Sequence, residues 1–174
     1  MAKMCTFLIL SLLLIAATNA TSRKIYKKPR KIHFYVQDAI SGPNATVWEV
    51  ARSSNTSSSS SMFVNVIDDL ITVGPDPNSE EMGRAQGLTT SADMKVLALA
   101  MNVNFMFTSG RYSGSTLSIL GRNQVLSAVR ELPVVGGTGV FRMAQGYAIT
   151  STHSFNTTTN HAVLEYKVTL YYYA

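Results

Sequence analysis

Cysteine is nearly absent: the single one in these 174 residues, Cys5, falls in an apolar leader, so no disulfide can brace the domain that follows. An exported domain without disulfides must be held by core burial alone, which about 150 residues can supply. Metal-ligand patterns are missing as well. His33, His153 and His161 show no ligand spacing and no acid cluster suits calcium, so no metal is expected. No Ser-His-Asp elbow occurs, and Gly136-Gly137-Thr138-Gly139 lacks the lysine and the following helix of a phosphate loop. Beyond the leader, nothing longer than a couple of turns keeps a helical period, which leaves no crossover helix for a parallel sheet.

What is present begins with that leader. Lys3, then the apolar run Phe7 to Ala17, then Thr18-Asn19-Ala20 have the order of a secretory signal with its cleavage site, and the run is too short for a permanent span of roughly 20 residues. Cleavage is expected after Ala20, with Ala17 as the competing position, leaving a secreted, soluble protein. Residues 21–31 form a basic arm with Arg23, Lys24, Lys27, Lys28, Arg30 and Lys31 and no acid. Setting those six and Lys3 aside from the 15 bases leaves eight against 10 acids, so the folded body, residues 32–174, is slightly acidic. That argues against a nucleic-acid-binding face. The arm is either a solvated flexible tail or a contact for an anionic surface such as a wall polysaccharide or a membrane. Three sequons, at Asn44, Asn55 and Asn156, lie in stretches rich in Ser, Thr, Gly or Pro and are expected glycosylation sites.

The body reads as strands throughout. Ile32-Phe34-Val36 alternates with polar neighbours, and strands follow over 45–52, 62–73, 81–92, 96–108, 113–120, 139–152 and 162–173. Residues 125–132 read as a short strand or a helical turn. Gly110, Gly114 and the Gly136–Gly139 cluster mark tight turns, and Gly74-Pro75-Asp76-Pro77 another. About eight short antiparallel strands must close or double over to protect their edges, and an all-β antiparallel barrel is the expected fold.

A few polar residues break this pattern. Asp38 is in register with Ile32, Phe34 and Val36, so its carboxyl lies on the core face, where burial favours the protonated form; the alternative is a turn-capping carboxylate at the strand's end. Of Asp68 and Asp69, one must point inward and the other outward. An inward arginine from Arg122-Asn123 or Arg130-Glu131 could pair with Asp38 or hold an anionic oxygen.

Taken together, these residues resemble the plant dirigent proteins over nearly the whole mature chain. Phe34-Tyr35-Val36-Gln37-Asp38, Val66-Ile67-Asp68-Asp69-Leu70-Ile71-Thr72, Gly83-Arg84-Ala85-Gln86-Gly87, Gly114-Ser115-Thr116-Leu117, Val129-Arg130-Glu131 and Val134 to Phe141 match that family's motifs in order. The resemblance implies an eight-stranded antiparallel β-barrel related to allene oxide cyclases, assembled as a homotrimer and exported to the apoplast. It also implies a role in lignan and phenylpropanoid biosynthesis and plant defence. In that role the barrel orients two monolignol radicals, made by a separate laccase or peroxidase, so that they couple stereoselectively. No cofactor is implied, because oxidation happens elsewhere. Asp38 carries over as a pocket acid able to protonate a quinone methide, Arg130 as its polar partner, and Asp69 as a further acid.

Departures from the family pattern bear on the chemistry. Lignan-forming members often have Gly-Ala-Asp where this chain has Gly121-Arg122-Asn123, so Asn123 replaces a carboxylate and can hydrogen-bond but not protonate. Gln37 stands at a common histidine position, Leu88-Thr89-Thr90 replaces an aromatic pair, and the cysteine pair of many members is missing. Two other roles therefore stay open. One is a pterocarpan-synthase-like dehydratase in which Asp38 protonates the leaving hydroxyl of an isoflavanol. The other is a structural role in lignin deposition or wall-glycan binding.

Overall fold

A computed structural model describes residues 29–53 and 62–171. The leader, most of the basic arm and Asn55 lie outside the described residues. Among the described residues nine strands form one antiparallel sheet: β1 (Arg30–Ala39), β2 (Val47–Arg52), β3 (Phe63–Thr72), β4 (Glu81–Ser91), β5 (Ala98–Phe107), β6 (Thr116–Gln124), β7 (Arg130–Gly137), β8 (Gln145–Asn156) and β9 (His161–Tyr171). Their order is β1-β9-β8-β7-β6-β5-β4-β3-β2, and β1 also pairs with β3. That last pairing closes the sheet. β1 meets the end of β3 (Tyr35 with Thr72, Gln37 with Leu70) while β2 meets its start (Val47 with Ile67, Arg52 with Phe63), so β1 and β2 share one edge and the barrel is eight-stranded. Closure leaves almost no unpaired sheet edge.

The alternation read in the sequence is the alternation of the barrel wall. Ile32, Phe34 and Val36 on β1, Val103, Phe105 and Phe107 on β5, and Tyr166, Val168 and Leu170 on β9 are buried in the lumen, with their neighbours facing out. A column of rings runs down the lumen. Phe34 stacks on Tyr166 at 5.5 Å, and Phe105 meets both edge-on at 5.0 and 5.2 Å.

One end of this column is plugged. Two three-residue 3₁₀ turns, Gly110–Tyr112 between β5 and β6 and Gly139–Phe141 between β7 and β8, are built alike. Each follows an extended hydroxyl residue, Ser109 or Thr138, and opens on a glycine at φ +63 or +59, a conformation that costs any other L-residue roughly 1–2 kcal/mol. Each then turns its third residue inward. Tyr112 and Phe141 lie 5.0 Å apart and both pack on Phe107.

Several boundaries differ from those read in the sequence, among them β6, which starts at Thr116 and runs on to Gln124 instead of covering 113–120. Residues 125–132, which read as either a short strand or a helical turn, divide into a turn over 125–129 and the start of β7 at Arg130, with Arg130, Leu132 and Val134 inward. Gly139 to Phe141 is a turn rather than the start of a strand, since inserting Phe141 into the plug requires the positive φ at Gly139; β8 begins at Gln145. β1 takes in Arg30 and Lys31 from the basic arm, because Arg30 and Lys31 pair with Leu170 and Thr169 of β9.

Candidate functional site

The lumen is polar at the end opposite the plug. Asp38 at the end of β1, Asp69 on β3, Asn123 at the end of β6 and Arg130 at the start of β7 all stand on the inner wall there. Asp69, Asn123 and Arg130 are buried, and Asp38 is half-buried. The turn-capping alternative for Asp38 is not what the fold shows: among the described residues its buried Oδ1 has no hydrogen-bond partner.

The two acidic motifs explain each other. Asp68 faces outward, where Arg84 Nε donates to its Oδ1 at 2.9 Å and Gln86 Nε2 donates at 3.1 Å. Those are the polar residues of Gly83-Arg84-Ala85-Gln86-Gly87, while Ala85 between them is inward, opposite Asp69. The small Ala85 leaves the Asp69 carboxyl room in the lumen. Thr46 in the β1–β2 connection donates from its hydroxyl to Asp69 Oδ1 at 2.5 Å.

Burial sets the protonation of the pair. Loss of solvent pushes the Asp38 carboxyl up to about 6. Asp69 is pushed up further, first by burial and second by the negative charge of Asp38, against the opposing bond from Thr46 and the more distant Arg84. Two carboxyls sharing one low-dielectric site do not both ionise readily. At mildly acidic to neutral pH the site therefore holds at least one carboxylic acid proton.

Arg130 does not neutralise them. Its Nη1 donates to the Ser127 carbonyl and to the Thr152 hydroxyl, each at 3.1 Å, its Nε is buried and unpaired, and burial lowers its pKa. The ion pair with Asp38 considered from the sequence is not formed among the described residues; Arg130 keeps a donor for something else. Asn123 touches Met101 Sδ through Nδ2 at 3.8 Å, and its Oδ1 is buried without a partner. Arg122 points outward and pairs with Asp93 at 2.7 Å.

Gln37 stands outside the lumen. Its Nε2 donates to Thr72 Oγ1 at 2.9 Å beneath the β3–β4 turn, so its difference from histidine does not alter the inner wall. Tyr166 is an inner-wall residue that no sequence motif singled out. Pairing places it in one rung with Arg130, Thr150 and Phe34. Burial pushes its phenol up to about 12, so it remains a neutral donor beside Arg130 and the two acids. Two flank grooves, of about 340 Å³ beside β5 and β6 and about 410 Å³ beside β2 to β4, are not lined by Asp38, Asp69 or Arg130.

This arrangement can offer an acid proton, a guanidinium donor and an amide to an oxygen atom, beside a set of packed rings. The chain is similar to known proteins over most of its length. The family model described as Dirigent-like protein matches residues 30–171. Dirigent protein 21 of Arabidopsis thaliana is 45% identical, with 94% of each chain covered. Pterocarpan synthase 1 of Glycyrrhiza echinata is 37% identical over 99% of this chain and all of its own. The solved structure of the pterocarpan synthase dirigent protein PsPTS1 superimposes with a TM-score of 0.78 at 36% identity, covering 86% of this chain and 98% of that one.

Proposed function

The chain belongs to the dirigent family, and from that premise we propose that it guides the stereoselective coupling of phenoxy radicals at the polar end of its barrel. The observation that carries the proposal is the buried acid pair Asp38 and Asp69, both held toward the protonated state, with the unpaired Arg130 Nε on the same inner wall. An external laccase or peroxidase supplies the monolignol radicals. The rings of Phe34, Phe105 and Tyr166 fix the plane in which an aromatic guest lies. Arg130 holds a phenolic oxygen, Asn123 adds a hydrogen bond, and an aspartic acid protonates the quinone methide oxygen formed by coupling. Ring closure on the opposite carbon then returns a proton to the carboxylate. Selectivity arises from orientation.

The test is chiral chromatography of coniferyl alcohol dimers formed by laccase with and without the protein. An excess of one enantiomer only with the protein is expected; racemic product in both would remove this reading.

A second reading is favoured by the same protonated pair and by the pterocarpan synthase relatives. Here an aspartic acid protonates the leaving hydroxyl of an isoflavanol, the carbon–oxygen bond breaks, water departs, and the carboxylate takes up the phenolic proton to leave a quinone methide. Turnover of isoflavanol without any oxidant separates this reading from the first.

The proposal extends to an exported, glycosylated homo-oligomer in the apoplast, with the basic arm available to a wall polysaccharide. Asn44 and Asn156 are exposed, and Asn156 Oδ1 already accepts from the Thr158 and Thr159 amides, so a glycan on Nδ2 costs neither bond. For assembly as a trimer, the support is an outer-wall row in which Trp48 pairs with Val66, Val66 with Leu88, Leu88 with Asn102 and Asn102 with Leu120. Its four apolar members are exposed. Sedimentation equilibrium decides the oligomeric state.

A further inference from the structure

The β1–β2 connection ends at Thr46, which ties together the two strands that carry the acids. Its N–H donates to the Ala39 carbonyl at 2.9 Å, next to Asp38, and its carbonyl accepts from the Asp68 N–H at 2.9 Å, next to Asp69. Its hydroxyl accepts from the Ala39 N–H at 3.1 Å and lies 2.5 Å from Asp69 Oδ1. The Ala39 group is a donor, so the one hydroxyl hydrogen of Thr46 has Asp69 Oδ1 as its acceptor. A proton on Oδ1 instead would leave the threonine hydrogen without an acceptor.

We propose that Thr46 is a positioning residue for the acid pair, its hydroxyl occupying Oδ1 of Asp69 so that the transferable proton of Asp69 resides on Oδ2. The proposal rests on the reading of Asp69 as a pocket acid. Two consequences follow from the bonding. The carboxyl cannot rotate freely about its last torsion, because the backbone bonds of Thr46 fix the hydroxyl in place. The bond favours the ionised carboxylate and offsets part of the burial that opposes it. Thr46 is also the third residue of the Asn44 sequon, so one hydroxyl serves both the glycosylation signal and the acid. Sequence comparison by motif reads only the first of these roles.

Several charged or titratable groups bear on Asp69. They are Asp38 from β1, its own neighbour Asp68, Arg84 from β4, and, through Tyr166 of β9, Arg130 of β7. None of them is altered by Thr46→Val, which keeps the side chain's size and the bonds of the Thr46 N–H and carbonyl, and removes the hydroxyl together with the acceptor of the Ala39 N–H. Burial and Asp38 then act on Asp69 against the more distant Arg84 alone. A hydrogen bond to a charged carboxylate is of the size that moves an acid by about one to two pH units.

The experiment is a carbon-13 NMR titration of the aspartate Cγ resonances in the intact protein. Thr46→Val is expected to raise the Asp69 midpoint by about one to two pH units, while Thr46→Ser, which keeps the hydroxyl, and Asn44→Gln, which removes only the sequon, titrate as the unaltered protein does. An unchanged midpoint in Thr46→Val, or a shifted one in Thr46→Ser, overturns the proposal. Should Thr46→Val not fold, the unaltered protein still decides: a slowly exchanging Thr46 hydroxyl resonance that moves with the Asp69 titration supports the proposal, and one that is flat across it does not. Where the unaltered protein yields enantiomerically enriched dimers, the pH limb of that enrichment should move with the Asp69 midpoint in Thr46→Val. Racemic product from the unaltered protein would sink the coupling function alone, because the titration reads Asp69 without substrate.

Discussion

At the plugged end of the barrel, Tyr112 and Phe141 close over Phe107, and the Phe141 ring is fully buried. At the polar end, Asp38, Asp69, Asn123 and Arg130 occupy the same inner wall, and three of them leave a buried polar atom unpaired. The plug has one such atom, the Tyr112 hydroxyl, among rings. Both ends are built from period-two strands, yet one spends its inward positions on dispersion and the other on groups that oppose burial. An unpaired buried polar atom costs about 1–3 kcal/mol, so the polar end destabilises the barrel unless a guest completes it. Stability and chemistry are thus separated along one axis, about the length of a strand.

Substitutions at the two ends should therefore fail in opposite ways. Asp38→Asn with Asp69→Asn removes the acid protons while keeping amide hydrogen bonding. Loss of general acid catalysis is expected to cost about 10²- to 10⁴-fold in the proton-dependent step, measured as product formed per unit time. Folding should survive it, and above neutral pH the doubly substituted protein should be the more stable one. Phe141→Ala should do the reverse, lowering stability in urea by about 3–5 kcal/mol while leaving enantiomeric excess unchanged in the fraction that remains folded. A Phe141→Ala protein of undiminished stability would mean that the plug is not what holds the barrel.

The contrast also decides what could be read from residues alone. Inner-wall alternation was legible because a closed barrel imposes period two on every strand, and so was the opposite orientation of Asp68 and Asp69. The inward register of Asp38 was equally visible. The plug was not: Gly110 was legible as a turn, but nothing in Gly110-Arg111-Tyr112 shows that Tyr112 turns inward, and Gly139-Val140-Phe141 resembles strand residues in composition, a propensity that the positive φ of Gly139 overrides. Arg130 as an unpaired donor was also out of reach. Its partners Ser127 and Thr152 come from a turn and from β8, and only three-dimensional closure brings them to it. Thr46 was visible as a sequon residue and nothing more, since its bond to Asp69 spans two elements with no spacing rule between them.

Acid pairing gives the polar end a pH signature that the plug lacks. Both carboxyls have folded-state pKa values above the unfolded value of about 3.9, with Asp38 at about 6 and Asp69 raised further. The folded state thus binds more protons than the unfolded one above that value, and stability falls as pH rises. The contribution is fully present below about pH 4 and is lost progressively as pH climbs through the folded-state values, each carboxyl giving up ~1.4 kcal/mol for every pH unit between its unfolded and folded values. The urea midpoint of the unaltered protein should fall between pH 4 and pH 8, and Asp69→Asn should flatten that slope. An equally steep slope in Asp69→Asn would place the proton linkage elsewhere.

The smallest expected effect lies in the backbone of the plug. At Gly139, φ is +59 and an added Cβ would press on the Ser115 hydroxyl, which accepts the Val140 N–H at 3.1 Å. Gly136, three residues earlier, has an ordinary φ and nothing within 4 Å of an added Cβ. Alanine at either position stabilises by narrowing the unfolded ensemble, by about 0.4–1 kcal/mol. At Gly139 the left-handed conformation costs about 1–2 kcal/mol in return, and Ser115 must shift as well. Gly139→Ala should therefore lose about 1 kcal/mol net, while Gly136→Ala is neutral or slightly stabilising. Equal midpoints for the two variants in urea would show that the turn tolerates a side chain and that Phe141 can reach the plug by another backbone path. A loss confined to Gly139→Ala, with the pH slope of the acid pair unchanged, would show that the two ends of the barrel respond independently.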